Sequence, residues 1–142
     1  MNRIILLSGL PASGKSTFAR DLIGIDKSYK RINRDDLRLM IDDGKWTRSN
    51  EKLIKIAEQL LAEMYLAGGF NIIVDDCNLA ESTRVAWREF ATNHNSDFEL
   101  RFFDIIPQEA IERDLKRFDS VGGKVIWRMY WQFLHKPKEQ SV

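Results

Sequence analysis

Eight residues near the start of the chain, Gly9-Leu10-Pro11-Ala12-Ser13-Gly14-Lys15-Ser16, constrain its fold more than any other stretch. They satisfy the pattern GxxxxGK[ST] in full. They follow the apolar run Arg3 to Ser8 and precede a segment with helical spacing from about Lys15 to Ile23. A strand, a glycine-rich turn and a helix in that order let the backbone wrap around a polyphosphate with its amide hydrogens pointing inward. Lys15 is then placed to reach the β- and γ-phosphates, and Ser16 to hold Mg²⁺ through its hydroxyl. Gly9, Pro11, Ala12, Ser13, Gly14, Lys15, Ser16 and Thr17 are the expected contacts for ATP.

The rest of the chain continues the alternation. Tyr29 to Asn33 reads as a second strand, and Asp35 to Asp42 as the start of a helix. Residues 49 to 67 carry Leu53, Ile56, Leu60, Leu61 and Met64 at helical spacing and stop at Gly68-Gly69. Phe70 to Val74 is a third strand, and Asn78-Leu79-Ala80-Glu81 has the form of a capping box opening a helix to about Asn93. Phe98 to Phe103 is a fourth strand. A helix begins at Pro107, with Glu109 near its start and Lys116-Arg117 near its end. Gly122-Gly123 breaks the chain before an aromatic-rich helix from about Lys124 to Leu134. This order implies an α/β fold: a three-layer sandwich of about four parallel strands with helices on both faces. Ligands of such sheets bind at the carboxyl ends of the strands, where every motif of this chain falls.

Three groups of residues complete a phosphotransfer constellation. Asp35 follows the second strand and is a candidate to accept or orient an acceptor hydroxyl. Arg38, three residues on, would share its helix face and could clamp an acceptor phosphate. The same spacing also fits Asp35 as a plain N-cap with Arg38 paired to Asp42, and spacing alone does not choose. Ile72-Ile73-Val74-Asp75-Asp76 is an apolar strand ending in acids, one of which can hold a water of the Mg²⁺ shell or pair with Ser16. Asn78 reads as no more than the helix cap, and Cys77 as a small buried residue. Arg113 and Arg117 share a helix face at i,i+4. Beside the glycine break they suggest an arginine lid around residues 107–123 that neutralises the transferring phosphoryl group; a solvent-exposed basic face is the alternative.

Length and composition suit this reading. A chain of 142 residues fits a single domain over 1–142, and 44% hydrophobic with 30% charged residues is an ordinary globular balance. One cysteine excludes an internal disulfide, and the apolar run at the start is too short for a signal or membrane segment, so a cytoplasmic location with no membrane partner is expected. Residues 113 to 139 hold seven Lys/Arg against three Asp/Glu. Trp127, Tyr130, Trp131 and Phe133 interleave with Lys124 and Arg128 there, which fits a nucleic-acid stacking surface, core packing or a homo-oligomer contact through this helix.

The chain resembles the 5′-kinase domain of bacteriophage polynucleotide kinases over nearly its whole length. The resemblance is carried by Gly9 to Ser16, by Ile32-Asn33-Arg34-Asp35-Asp36 with Arg38, by Val74-Asp75-Asp76-Cys77-Asn78-Leu79, by Arg84-Val85-Ala86-Trp87, and by Phe103-Asp104-Ile105 through Arg113 to Lys116-Arg117. It implies a P-loop NTPase-type fold and an ATP- and Mg²⁺-dependent kinase of nucleic acid 5′-hydroxyl ends. It implies further that Lys15 and Ser16 serve ATP and Mg²⁺, Asp35 is the general base, Arg38 holds the acceptor's 3′-phosphate, Asp76 is the metal-side acid, and Arg117 is the lid arginine on the donor phosphates. The family's best-known members add a 3′-phosphatase domain with an Asp-x-Asp motif. That motif is absent here, so kinase activity without phosphatase activity is expected. The stretch between Arg38 and Asp76 looks shorter than in the two-domain enzymes, which leaves acceptor preference open. Phe118-Asp119 departs from the expected lid continuation, so the lid role falls to Arg117, to Arg113 or to both. The alternative function is a small-molecule P-loop kinase of a sugar, nucleoside or antibiotic; a non-catalytic nucleotide-binding module ranks last.

Overall fold

A computed structural model describes residues 1–135. Four strands, β1 (Arg3–Gly9), β2 (Tyr29–Ile32), β3 (Asn71–Val74) and β4 (Asp97–Phe103), form one parallel sheet in the order β2-β3-β1-β4. The central strand β1 is buried from Ile4 to Gly9, as its unbroken apolar run requires when helices cover both faces. Its side chains alternate between two cores. Ile4 and Leu6 join Ile72, Val74 and residues of α3 (Arg48–Ala67) and α4 (Glu81–Asn93). Ile5 and Leu7 point the other way, to Ile73 and to Ala19, Phe18 and Leu22 of α1 (Lys15–Ile25).

A third cluster positions the site. Leu10 of the glycine-rich loop and Leu79 beyond β3 are buried against Ala110 of α5 (Pro107–Leu115) and Ile126 of α6 (Gly123–Met129). These contacts dock the C-terminal helices on the carboxyl edge of the sheet. Past α6 the chain widens into a π-helical turn, Tyr130–Leu134, closed by His135 N donating to Tyr130 O at 2.8 Å.

Several expectations need correction. Of the apolar series of α3, Leu53, Ile56, Leu60 and Met64 are 47–60% exposed, while Leu61 packs partly against the core. The buried stripe is instead Ile54, Glu58, Ala62 and Leu66. α3 is apolar on two faces, and the sheet covers only one of them. Thr47 caps α3 by accepting from Asn50 N at 3.0 Å. Asn78 caps nothing: α4 begins after Ala80, which makes no side-chain cap. α5 ends at Leu115, so Arg117 lies beyond the helix that was expected to carry it beside Arg113. In the aromatic segment Ile126 is the buried residue, Tyr130 packs partly on the third cluster, and Trp131 is 57% exposed. No helix of the described residues is long and apolar enough to cross a membrane.

Candidate active site

The glycine-rich loop takes its shape from backbone conformations that its residues permit. Gly9 has φ 154°, and a side chain there would meet Phe103 O at 2.9 Å and Ser13 Oγ at 3.0 Å, so the close passage of β1 beside β4 requires glycine. Gly14, the residue before α1, has φ 103°, a left-handed turn that aims the first amides of α1 into the cleft. Lys15 is buried, and its ammonium donates to Gly9 O at 2.9 Å, Leu10 O at 2.6 Å and Ser13 Oγ at 3.2 Å. Burial holds this ammonium below the usual lysine range, partly opposed by negative charge at Asp75 and Asp76 and reinforced by Arg117.

The ends of the other strands are tied to this loop. Gly9 N donates to Cys77 O at 2.9 Å, and the buried Asn78, at φ 45°, donates from Nδ2 to Leu7 O at 2.7 Å while its carbonyl accepts from Ser8 Oγ at 3.0 Å. Asn78 therefore staples the end of β1 to the turn after β3, and asparagine tolerates its left-handed backbone. Cys77 is half-buried against the third cluster, and burial pushes its thiol up.

α2 (Arg34–Asp42) carries the acceptor-side candidates. Its N-cap is Asn33, which accepts from Asp36 N at 2.8 Å and donates to Asp75 O at 2.6 Å. This frees Asp35 from the capping role, and its carboxylate is 73% exposed. Arg38 donates to Asp35 Oδ1 at 2.6 Å and grips Glu51 of α3 with two further bonds, at 2.5 and 2.9 Å. Its partner is thus Glu51 and not Asp42, whose carboxylate accepts from Asn50. The hydrogen bonds to Glu51 hold the Arg38 guanidinium above its ordinary range despite partial burial.

The two acids after β3 have different fates. Asp75 is buried and neutralised by Arg31, at 2.7 and 2.8 Å. Arg31 also reaches Asp36 at 2.6 Å. Asp76 accepts from Arg34 N at 2.9 Å through Oδ1, and its Oδ2 is buried without a hydrogen-bond partner. Arg34 itself grips the buried Glu58 in bidentate fashion, with bonds of 3.1 Å from both Nε and Nη2. Burial, with the Glu58 charge beside it, raises the Asp76 carboxyl well above its ordinary range. This donor set fits Mg²⁺. Among the described residues no cluster of three or more His, Cys, Asp or Glu forms a metal cage. Mg²⁺ bound with substrate phosphates needs only a hydroxyl, such as that of Ser16, and one carboxylate with waters between. The unpartnered Asp76 oxygen has the character required, and a divalent cation beside it would favour the ionised form.

The lid residues complete the wall. Arg113 and Arg117 both line the cleft, Arg113 paired with Glu109 at 2.7 Å and Arg117 with Asp119 at 3.2 Å. The loop at the glycine break is tied to α5. Asp114, with no exposed surface, accepts from Ser120 Oγ at 2.6 Å, Val121 N at 3.0 Å and Gly122 N at 2.9 Å, with Arg117 at 3.9 Å. Burial opposes that charge, but the three hydrogen bonds and Arg117 outweigh it and keep the carboxyl below its usual range. Together these elements enclose a cleft of about 750 Å³, lined by the loop from Pro11 to Thr17, by Asp35, Arg38 and Asp76, and by Arg113 and Arg117.

Every expected site residue except Gly9 thus lines one cleft, and Gly9 lies beneath it. Glu51, Glu58 and Asp114, which orient the arginines, were not anticipated. Glu58 had a signal: it stands four residues from Ile54 and from Ala62, inside the stripe that faces the core.

The family described as "AAA domain" (AAA_33) matches residues 4–129. A protein of Autographa californica nuclear polyhedrosis virus, named as a bifunctional polynucleotide kinase/RNA ligase, is 31% identical over 93% of this chain and 21% of its own length. The L-seryl-tRNA(Sec) kinase of Methanococcus maripaludis is 27% identical over 92% of this chain and 52% of that protein. The chain therefore spans about half or less of the curated relatives it matches. A chain of the Pnkp1/Rnl/Hen1 RNA repair complex superposes with a TM-score of 0.82 at 28% identity, covering 93% of this chain and 44% of that one. This chain belongs to the AAA_33 family and carries the P-loop kinase fold.

Proposed function

We propose that the protein is an ATP-dependent polynucleotide 5′-hydroxyl kinase. The observation that carries this reading is the Asp35–Arg38 pair at 2.6 Å, which sets an exposed carboxylate beside a guanidinium on the wall of the cleft that also holds Lys15. A carboxylate serves any hydroxyl acceptor. An adjoining arginine has a purpose when the acceptor carries a phosphate one sugar away from that hydroxyl. The viral relative named as a polynucleotide kinase/RNA ligase supports the same choice.

In this reading the acceptor oxygen attacks the γ-phosphorus of ATP in line, its proton passes to Asp35, and the bond from the γ-phosphorus to the β,γ-bridging oxygen breaks to release ADP. The loop amides and Lys15 hold the donor, and Arg117 and Arg113 stabilise charge on the equatorial oxygens. Bound Mg²⁺, held through the Ser16 hydroxyl and a water on Asp76, would neutralise the donor phosphates. Arg38 fixes the acceptor's 3′-phosphate, and Glu51 fixes Arg38.

The test is transfer of labelled γ-phosphate to a short oligonucleotide with a 5′-hydroxyl, beside a 5′-phosphorylated copy and a panel of small alcohols. Label on the 5′-hydroxyl strand alone is expected. Label only on a small alcohol would overturn the acceptor and leave the P-loop chemistry in place.

A further inference from the structure

A second cleft, of about 310 Å³, lies between α3 and α4 and has no part in the mechanism above. It joins the phosphotransfer cleft through shared walls, since Arg34 and Thr83 line both. Trp87 and Phe90, packed edge to face with centroids 5.4 Å apart, form its apolar floor beside Ala86. Lys55 and Gln59 of α3 and Ser82 of α4 supply polar groups on its walls. The Glu58 carboxylate in the wall is consumed by Arg34, while Lys55 makes no ion pair among the described residues, so the cleft is left with positive character. An apolar floor, polar walls and a cation, opening beside the acceptor residues, are the features of a site for one flat heterocycle on a polyanionic strand.

We propose that this cleft binds one nucleobase of the acceptor strand, with Lys55 attracting the adjoining phosphate and Gln59 meeting the base edge. The inference rests on the polynucleotide kinase reading and adds to it a base-binding subsite on α3 and α4. Its side chains are accessible for test: Lys55, Gln59 and Ala86 are all exposed, so replacing them leaves the core intact.

The experiment compares kcat/KM for a short 5′-hydroxyl oligonucleotide with copies lacking the base at the first, second or third position. Removal of one particular base is expected to lower kcat/KM about tenfold, within the range for a stacked base. In Ala86→Trp, which fills the mouth of the cleft, and independently in Lys55→Ala/Gln59→Ala, that penalty should fall to under twofold. Equal kcat/KM for all the abasic copies, or a penalty that persists undiminished in both variants, overturns the subsite while the kinase reading stands. Failure to label any 5′-hydroxyl strand, intact or abasic, overturns the kinase reading itself.

Discussion

Three carboxylates do in this cleft what the phosphate-binding motif leaves undone: they aim arginines. Glu51 and Glu58, two turns apart on α3, each take two bonds from an arginine of α2, and Asp114 gathers the lid loop under Arg117. Glu58 is the most exposed to loss. Glu58→Ala would leave the Arg34 guanidinium half-buried without its bidentate partner. A loss of about 3 kcal/mol is expected in urea unfolding, the scale for a buried pair broken on one side. Glu58→Gln, which keeps one acceptor, should cost clearly less. Asp114 gives a pH signature. Its folded-state carboxyl titrates below the ordinary value of 3.8, so its stabilisation is fully present above that value and is lost as pH falls through the depressed one. Asp114→Asn should cost about 2 kcal/mol at pH 7, and the gap between variant and parent should narrow as pH falls below the ordinary value of 3.8. A constant gap across that range would show that the ionised form is not what the three donors hold. None of these carboxylates belongs to a spaced motif. Lys15 was legible because the phosphate loop dictates its place, and spacing offered Asp35 and Arg38 only as candidates, whereas a residue that positions another is found only when two helices are seen together.

At the scale of elements, the strands and the glycine-rich turn were readable and α3 was not. β1 is a nearly unbroken apolar run because both faces are covered, and the alternation of strand and helix admits few topologies. α3 carries apolar residues around most of its circumference. Two stripes compete in it, 53-56-60-64 and 54-58-62-66, and the first is the more hydrophobic. The sheet chooses the second because Ala62 lets the helix approach closely and Glu58 must reach Arg34. Alanine scanning separates the two faces. Ile54→Ala, at 1% exposure, should cost about 2–4 kcal/mol, and Leu60→Ala, at 60% exposure, under about 0.5 kcal/mol. Equal costs would mean that the exposed stripe is covered in solution. Asn78 misled in another way: a helix-start pattern marks positions that can cap, and here the side chain is spent on Leu7 O instead.

Across the whole molecule, the proposed reaction divides the carboxyl edge of the sheet into a donor half and an acceptor half that should answer to ligand separately. The donor half is the loop after β1 with the lid helices docked on it through Leu10. The acceptor half is α2, braced on α3 by two arginine–glutamate clamps. A nucleotide that binds only the folded protein raises stability by RT ln(1 + [L]/Kd), about 2.7 kcal/mol at a hundred times Kd. Thermal unfolding with ATP and Mg²⁺ at such a ratio should therefore shift Tm upward by several degrees. Lys15→Ala should lose most of that shift, because the buried ammonium stands at the phosphate loop. Asp35→Ala should keep the shift and lose phosphoryl transfer, because its carboxylate is exposed and, among the described residues, its ion pair is with Arg38. If Asp35→Ala lost both together, the two halves would be one binding surface, and the general-base role of Asp35 would have to be given up.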